Sequence, residues 1–224
     1  MPDAPWTRPW LEARTEEVLR QKRTPISPRI ALVRVDGVRY IYKDFASKSF
    51  PVRAWYSPFV IRREEAILKR LEGIPGIPAF VRRVGTTGFV TEFIEGRTIG
   101  KFRPGDLPDA VYRRLEGLVA AMHERRVAHL DLRQRKNVLL TDDHRPFFID
   151  FANSLWVRRS SRLHDWILDR LCAIDRSGLL KYKHRLFPHL VTEADRSFLK
   201  RHNQLRRLWL LKPARLRPKD AAWR

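Results

Sequence analysis

The sequence predicts an α+β protein whose first half is rich in strands and whose second half is mostly helical. Apolar and polar residues alternate with a period of two in residues 30–45, which is typical of strands. After residue 104 the apolar residues instead recur every three or four positions, which is typical of helices. A chain of 224 residues is long enough for one domain or for two lobes that share a site.

The composition argues against two classes of protein. No apolar run reaches the roughly 18 to 20 residues that span a membrane, so we do not expect an integral membrane protein. The first residues mix acids, prolines and arginines, and they lack the continuous apolar segment of a secretory signal. The single cysteine, Cys172, has no partner for an internal disulfide, which favours a reducing cytoplasm.

Charge is the most unusual bulk property of the chain. It contains 46 Lys and Arg but only 25 Asp and Glu, a net charge of +21. Residues 156–224 alone hold 18 basic and 6 acidic residues, which is more than half of the excess. A field of this size attracts nucleic acids, nucleotide phosphates, anionic lipids and phosphorylated saccharides. Solvated helix faces would give the same composition, so charge by itself identifies no partner.

The strand-rich half begins with a hairpin. An Asp-Gly dipeptide divides residues 30–45 and suits the positive φ angles of a tight turn, so the second strand ends near Lys43. Residues 57–73 then place apolar side chains at helical spacing, and Gly73 is positioned to end this helix. After a GIPGIPAF break, residues 88–96 predict another strand.

The second half begins with a helix that leads into a polar loop. Apolar side chains within residues 106–128 recur at helical spacing, and the loop follows at residues 129–137. Two short strands are expected at residues 137–140 and 146–150, joined by the turn-prone sequence TDDHR. From Arg162 onward the pattern again indicates helices.

The polar loop carries groups that suit phosphoryl transfer. This chemistry needs cations that neutralise the phosphates and a carboxylate beside the attacking hydroxyl. His129, Asp131 and Asn137 lie in the loop, and Asp150 follows at the end of the next hairpin. Because that hairpin is short, Asp131 and Asp150 can face one site. The alternative is that His129 and Asp131 only fix a turn, while Asp150 caps the next segment.

The order of these residues, with a lysine on a strand and a glutamate on a helix before them, resembles the protein kinase-like superfamily over about residues 30–170. The resemblance implies a bilobal fold with a small β-rich N-lobe containing one helix and a reduced, mostly helical C-lobe. It also implies ATP and Mg²⁺ as cofactors. We therefore expect a helical N-terminal extension in 1–23, an N-lobe in 24–94, a C-lobe in 95–211 and a basic tail in 212–224.

The resemblance implies a role for each polar residue of the loop and hairpin. Asp131 resembles the catalytic aspartate that orients the acceptor hydroxyl and takes its proton, and Arg133 matches a lysine near the transferred phosphate. Asn137 resembles the asparagine that binds magnesium, and Asp150 resembles the metal-chelating aspartate of Asp-Phe-Gly, here Asp-Phe-Ala. Asp165 matches an aspartate that braces the catalytic loop, although an exposed helical acid would look the same.

The resemblance also implies an ATP-binding set in the first half. Lys43 matches the strand lysine that contacts the α and β phosphates, and Glu64 matches its helix partner. Glu64 lies within an apolar helix face, where an unpaired carboxylate would be costly. Glu92 and Ile94 fall where the inter-lobe hinge binds adenine through its backbone, and Thr91 falls where pocket depth is controlled. A strand-end lysine, a solvated glutamate and a plain strand end are the alternatives.

The sequence also departs from the family pattern. No Gly-x-Gly-x-x-Gly occurs in QKRTPISPR, the segment before the hairpin, so bare backbone cannot approach phosphates there as glycines would allow. Leu130 replaces the arginine that reads a phosphorylated activation segment, and no long activation loop follows Asp150. We therefore expect no regulation by activation-loop phosphorylation.

Within the superfamily, YKDF, EFIEG and the short C-terminal helices are similar to bacterial lipopolysaccharide-core kinases, including those acting on 3-deoxy-manno-octulosonic acid. They are also similar to RIO-type and aminoglycoside phosphotransferases.

Three functions remain open. The first is transfer of the γ-phosphoryl group to a sugar hydroxyl of a lipopolysaccharide-type glycan, by a cytoplasmic monomer at the inner membrane face. Four tryptophans lie near the chain ends: Trp6, Trp10, Trp209 and Trp223. They would suit contact with anionic lipid, although core packing is the simpler explanation. The second is a RIO-like protein serine kinase whose basic surface meets RNA or ribosomal material. The third is a pseudokinase that serves as a binding module.

Overall fold

The computed structural model describes residues 5–21 and 24–208, in which a strand-rich part precedes a helical part. The helices are α1 (Arg8–Glu12), α2 (Ser57–Arg70), α3 (Asp109–Glu124), α4 (Arg162–Leu186) and α5 (Glu193–Leu208). The strands are β1 (Thr15–Arg20), β2 (Arg29–Val35), β3 (Val38–Asp44), β4 (Phe80–Val84), β5 (Gly88–Glu92), β6 (Arg97–Thr98), β7 (Val127–Ala128), β8 (Val138–Leu140), β9 (Pro146–Phe148) and β10 (Leu155–Trp156). The predicted α+β class is confirmed. No helix within the described ranges is long and apolar enough to cross a membrane.

Five antiparallel strands form the sheet of the first part, in the order β1-β2-β3-β5-β4. The turn between β2 and β3 uses Asp36 and Gly37, whose φ angles of 48° and 81° are those of a tight hairpin turn. The hairpin predicted from alternating residues is therefore confirmed. Its register pairs Lys43 with Ile30 on the neighbouring strand.

The N-terminal segment, residues 1–23, differs from the helical extension that we expected. Only α1 is helical, whereas β1 pairs with β2 and becomes an edge strand of the sheet. The side chains of β1 are mostly exposed and its register is irregular, so no alternation of apolar residues marks the strand in the sequence. The sheet thus begins before residue 24, our expected start of the N-lobe. Residues 1–4 and 22–23 lie outside the described part.

Trp6 belongs to the core of the strand-rich part rather than to its surface. It is 5% exposed, and its ring lies 5.6 Å from the ring of Tyr40 and 5.8 Å from that of Trp10. The lipid contact considered for Trp6 is therefore wrong, because burial in the core removes the ring from any external surface. Trp209, Trp223 and the tail expected at residues 212–224 lie outside the described residues.

The helix α2 packs on the other side of the sheet, where it contacts β4 and β5. A π-helical turn at Val52–Tyr56 leads into it, and Gly73, with a φ angle of 82°, follows its end. The helix predicted for residues 57–73 is thus confirmed with a slightly earlier end. Its buried face consists of Ser57, Val60, Ile61, Glu64, Ile67 and Leu68.

The helical part is built around α3 and α4, with the β8–β9 hairpin beside them. The apolar face predicted for α3 is buried as expected, at Val111, Leu115, Leu118, Val119 and Met122. This face forms one core with Ile67 and Leu71 at the end of α2, so the two parts share apolar packing. We propose residue 94 as the boundary between lobes, since it follows the last strand of the large sheet.

Hydrogen bonds to backbone carbonyls also join the two parts. The N–H of Phe148 donates to the carbonyl of Gly76 at 2.9 Å. The Arg125 guanidinium donates to the carbonyls of Arg70 and Glu72, each at 2.9 Å. The Arg125 bonds fix the end of α2 against the end of α3, and the Phe148 bond fixes the segment after α2 against the β8–β9 hairpin.

Replacing Gly76 with alanine should destabilise the protein more than the same change at Gly85. Both glycines have positive φ angles, 102° and 57°, so alanine costs about 1–2 kcal/mol at either position. A Cβ at Gly76 would also lie 2.6 Å from the carbonyl oxygen of Pro146 and 2.8 Å from Leu118, whereas nothing lies within 4 Å at Gly85. We expect about 1–3 kcal/mol of additional loss for Gly76→Ala from overpacking, measured by urea unfolding. Equal losses for the two variants would contradict the close approach.

Candidate active site

A buried ion pair connects the sheet to α2. Lys43, near the end of β3, donates from Nζ to Oε1 of Glu64 on α2. The two residues are 8% and 2% exposed, so both charges are removed from water. Glu64 is the partner that the sequence analysis proposed for Lys43. Removing either side chain alone would leave an uncompensated buried charge, which is strongly destabilising.

A third charge, Asp150, lies beside this pair, with its Oδ1 3.9 Å from Nζ of Lys43. Burial by itself lowers the pKa of Lys43, but the carboxylates of Glu64 and Asp150 outweigh it, and the net pKa lies above the ordinary value. Burial by itself would raise the pKa of Asp150, but Lys43, then Lys136 and Arg20, lower it below the ordinary value. Lys43 and Asp150 are therefore charged near neutral pH.

The polar loop holds the carboxylate of Asp131 in a cage of amides. Nδ2 of Asn137 donates to the backbone oxygen and to Oδ2 of Asp131, both at 3.1 Å. Asn153 donates to the same Oδ2 at 3.2 Å, and the amide of Gln134 contacts both carboxylate oxygens. Gln134 and Asn153 were not predicted from the sequence, because a loop amide that matches no motif carries no spacing signal of its own.

His129 connects the polar loop to the Asp-Phe-Ala segment. Its ring is buried, lies 4.7 Å from the ring of Phe151, and its Nε2 bonds the carbonyl of Ile149 at 3.2 Å. Burial lowers the pKa of His129 in spite of nearby carboxylates, so the ring is neutral and Nε2–H is the donor. Asp150 adopts the left-handed conformation, with φ and ψ both at 68°. The contacts of His129 on both sides of Asp150 help to hold this strained backbone.

The residue that braces the polar loop is Asp175, and the expectation for Asp165 is wrong. Asp175 lies fully buried in α4 and accepts the backbone N–H groups of His129 and Leu130, each at 2.7 Å. Asp165 is half exposed and instead pairs with Arg126 at 2.7 Å. Both aspartates lie on the same helix, so sequence position alone could not choose between them. The apolar run LCAI directly before Asp175 is the one available signal.

Other residues of α4 contact the same loop. The hydroxyl of Tyr182 donates to the carbonyl of Leu132, and a Cβ on Gly178 would lie 3.1 Å from the Cβ of Leu132. The guanidinium of Arg133, which we expected near the transferred phosphate, donates to the hydroxyl of Ser177 at 3.0 Å. The C-terminal half of α4 therefore packs closely against the polar loop at Leu132 and Arg133.

The expected adenine-binding residues lie at and just after the end of β5. Glu92 lies opposite Tyr40 of β3, and its backbone N–H and carboxylate bond the carbonyl and N–H of Ala79, both at 3.0 Å. Thr91 and Ile94 are buried on either side of this position. These contacts hold the connection between the two parts against the start of β4.

A basic residue at the end of β1 faces the ion pair. Arg20 lies opposite Ile30, which in turn lies opposite Lys43. Directly opposed residues share one face of a sheet, and two strand spacings put the Cα atoms of Arg20 and Lys43 about 10 Å apart. Residues 24–28, which lead into β2, contain no glycine. Lys48 donates from Nζ to the carbonyl of Thr24 in this segment at 3.2 Å.

Structural similarity identifies the fold. The Rio2 kinase of Chaetomium thermophilum, solved as a complex with ADP/Mg²⁺ and phosphoaspartate, matches with a TM-score of 0.56 at 16% sequence identity. The chain has a protein kinase-like fold. The match covers 83% of this chain but only 61% of that kinase, and at this identity the similarity concerns the fold alone. No protein family and no curated protein matches the sequence.

Replacing Asp175 with asparagine should destabilise the protein more than replacing Asp165. Asp175→Asn weakens two buried hydrogen bonds to a charged acceptor, each worth about 1.5–3 kcal/mol. Asp165→Asn removes one exposed ion pair, worth about 1 kcal/mol or less. Urea unfolding of the two variants measures the difference. If Asp165→Asn were the more damaging change, the bracing role of Asp175 would be refuted.

Proposed function

We propose that the protein is an ATP- and Mg²⁺-dependent phosphotransferase that moves the γ-phosphoryl group to a hydroxyl acceptor. The observation that carries the proposal is the convergence of an ammonium, three carboxylates and an amide from β3, α2, the polar loop and the end of the β8–β9 hairpin. The N–H of Ile149, next to Asp150, donates to the carbonyl of Asn137 at 3.0 Å. This bond links the two halves of the proposed metal site. Such an arrangement has the parts that phosphoryl transfer requires.

Asn137 and Asp150 suit Mg²⁺ by their chemistry. Nδ2 of Asn137 is engaged by Asp131, which leaves the amide oxygen as the ligand atom. The low pKa of Asp150 keeps its carboxylate ionised. Mg²⁺ prefers oxygen ligands and commonly binds through one or two protein groups together with substrate phosphates. When bound, the ion would neutralise negative charge on those phosphates.

Asp131 would orient the acceptor. Its carboxylate is held by Asn137 and Asn153. From there it would accept a hydrogen bond from the attacking hydroxyl and then its proton. The amide of Gln134 donates to both carboxylate oxygens of Asp131. The acceptor hydroxyl would displace this amide. Arg133 stays in the proposed catalytic set as a cation two residues from Asp131.

The nucleotide would extend from the connection after β5 towards Lys43. Adenine would bind the backbone near Glu92 and Ile94, and Lys43 would contact the α and β phosphates. Glu64 would hold that ammonium in place. Arg20, at the end of β1, would supply a side-chain cation to the phosphates, in place of glycine backbone N–H groups.

The acceptor that we propose is a sugar hydroxyl of a lipopolysaccharide-type glycan, because several sequence segments resemble kinases of that class. A protein serine is the second candidate, favoured by the structural similarity to Rio2 kinase. Turnover of radiolabelled ATP with a lipopolysaccharide precursor and with a generic protein substrate distinguishes the two. Phosphate in the glycan supports the first, whereas phosphoserine supports the second.

Mg²⁺ and ATP together should raise the melting temperature of the protein, and Asp131→Asn should keep this shift while lowering turnover by about 10²–10⁴-fold. The double variant Lys43→Met/Glu64→Gln should lose the shift, and it removes both buried charges together so that neither is left unpaired. Asp143→Asn, at an exposed carboxylate outside the site, is the control and should change neither property. A wild type that binds MgATP without turnover would indicate a binding module. A wild type that neither binds MgATP nor turns it over would reject the proposed nucleotide site.

Arg20→Gln should raise the KM for ATP about tenfold with a smaller effect on kcat, because one charge-assisted contact to phosphate is worth about 1.5–3 kcal/mol. Arg34→Gln is the matched control. Arg34 lies on the neighbouring strand and pairs with exposed Glu16, so its loss should leave the KM unchanged. Steady-state kinetics at several salt concentrations provides the measurement. Equal KM values for the two variants would exclude a phosphate contact by Arg20.

A further inference from the structure

The outer face of the helix that carries Glu64 exposes three aromatic side chains, which we call the α2 aromatic patch. Phe50, Trp55 and Phe59 are 65%, 71% and 62% exposed. Trp55 and Phe59 are four residues apart in the continuous helical segment formed by the π-helical turn and α2, so they lie on one side of it. The Phe50 ring packs edge-on against Trp55, with centroids 6.2 Å apart.

These rings add nothing to the core of the protein. The opposite side of the same helix provides the buried residues, including Val60 and Ile61. Contiguous exposed apolar side chains of this size mark an interaction surface more often than a scattered single residue does. The patch therefore needs a partner that accepts aromatic rings.

The charge around the patch is of one sign. Residues 45–63 contain four basic residues and no acid. Arg53 and Arg62 are exposed, and the guanidinium of Arg63 lies 5.7 Å from the centre of the Phe59 ring. The next acids along the chain, Glu64 and Glu65, are both engaged in ion pairs with basic side chains. The partner that complements this surface is consequently anionic.

We propose that the α2 aromatic patch binds the surface of an anionic phospholipid bilayer. Trp and Phe on one side of a helix enter the boundary between headgroups and acyl chains, while flanking arginines contact the anionic headgroups. Single-stranded nucleic acid also binds aromatic and basic residues, but it does so in a basic groove whose rings offer flat faces to the bases. Here the Phe50 and Trp55 rings are inclined at 72° to each other on the outer surface of a helix.

This contact would bring the proposed active site close to the membrane. Glu64 lies on the buried side of α2, and a helix with its side chains is about 10–12 Å across. Lipid binding itself does not rest on the proposed phosphotransferase function, since a protein without activity would bind in the same way. Lipid binding would favour one of the two proposed acceptors, because an active site at the membrane suits a hydroxyl on a lipid-linked glycan.

Sedimentation of the full chain with vesicles tests the proposal. Vesicles of phosphatidylglycerol and phosphatidylcholine should bind the wild type, and the triple variant Phe50→Ala/Trp55→Ala/Phe59→Ala should bind at least tenfold more weakly. Leu163→Ala/Trp166→Ala is the control, since it removes exposed apolar side chains from α4, 63% and 55% exposed, and should bind as the wild type does. The basic residues 212–224 are retained in every variant, so their contribution cancels in the comparison.

A second measurement locates the contact. Brominated lipid should quench the fluorescence of Trp55, and Trp55→Phe should lose that component while still sedimenting with vesicles. Binding by the triple variant equal to that of the wild type, at unchanged melting temperatures, would overturn the proposal. It would also fail if the triple variant lost binding to single-stranded RNA but not to anionic vesicles, since the patch would then serve nucleic acid. A protein without ATP turnover should give the same vesicle binding and the same quenching. Failure of this proposal can therefore be distinguished from failure of the proposed function.

Discussion

The buried contact between Lys43 and Glu64 is the interaction on which the rest of the strand-rich part depends. It joins β3 to α2 at a point where neither charge reaches water. A buried charge that loses its partner costs several kcal/mol, so the strand and the helix are held in one relative position. Asp150 then approaches the same ammonium from the helical part. One lysine thus contacts carboxylates from both parts of the protein.

In the helical part, a buried carboxylate and a close approach between α4 and the polar loop hold that loop in place. Asp175 accepts two backbone N–H groups of the polar loop, and Gly178 lets α4 approach the loop within van der Waals contact. Leu130 has a φ angle of 65°, an uncommon conformation for a residue with a side chain. Such strain persists where the surroundings over-determine the backbone. The bond from the N–H of Leu130 to Asp175 is one such constraint.

The phosphate contact proposed for Arg20 would take the place of backbone contacts from a glycine loop, since the segment after β1 contains no glycine. A glycine loop approaches phosphate through backbone N–H groups, whereas an arginine reaches it from a distance with a charged fork. Arg20 is one of the cations that, with Lys43 and Lys136, lower the pKa of Asp150, so its charge acts at the proposed site. The same excess of basic residues surrounds the α2 aromatic patch, so one property of the composition supports two different proposed contacts.

The sequence by itself determined the features that rest on local spacing. The Asp-Gly turn, the apolar face of α3, the polar loop and the pairing of Lys43 with Glu64 were predictable because each follows from a short pattern or from the cost of a buried charge. Only the tertiary structure decided the edge strand β1, the choice of Asp175 over Asp165, the position of Arg20 and the exposure of Trp55. These depend on pairing through the backbone and on contacts between residues far apart in the chain, which leave no periodic signal in side-chain order.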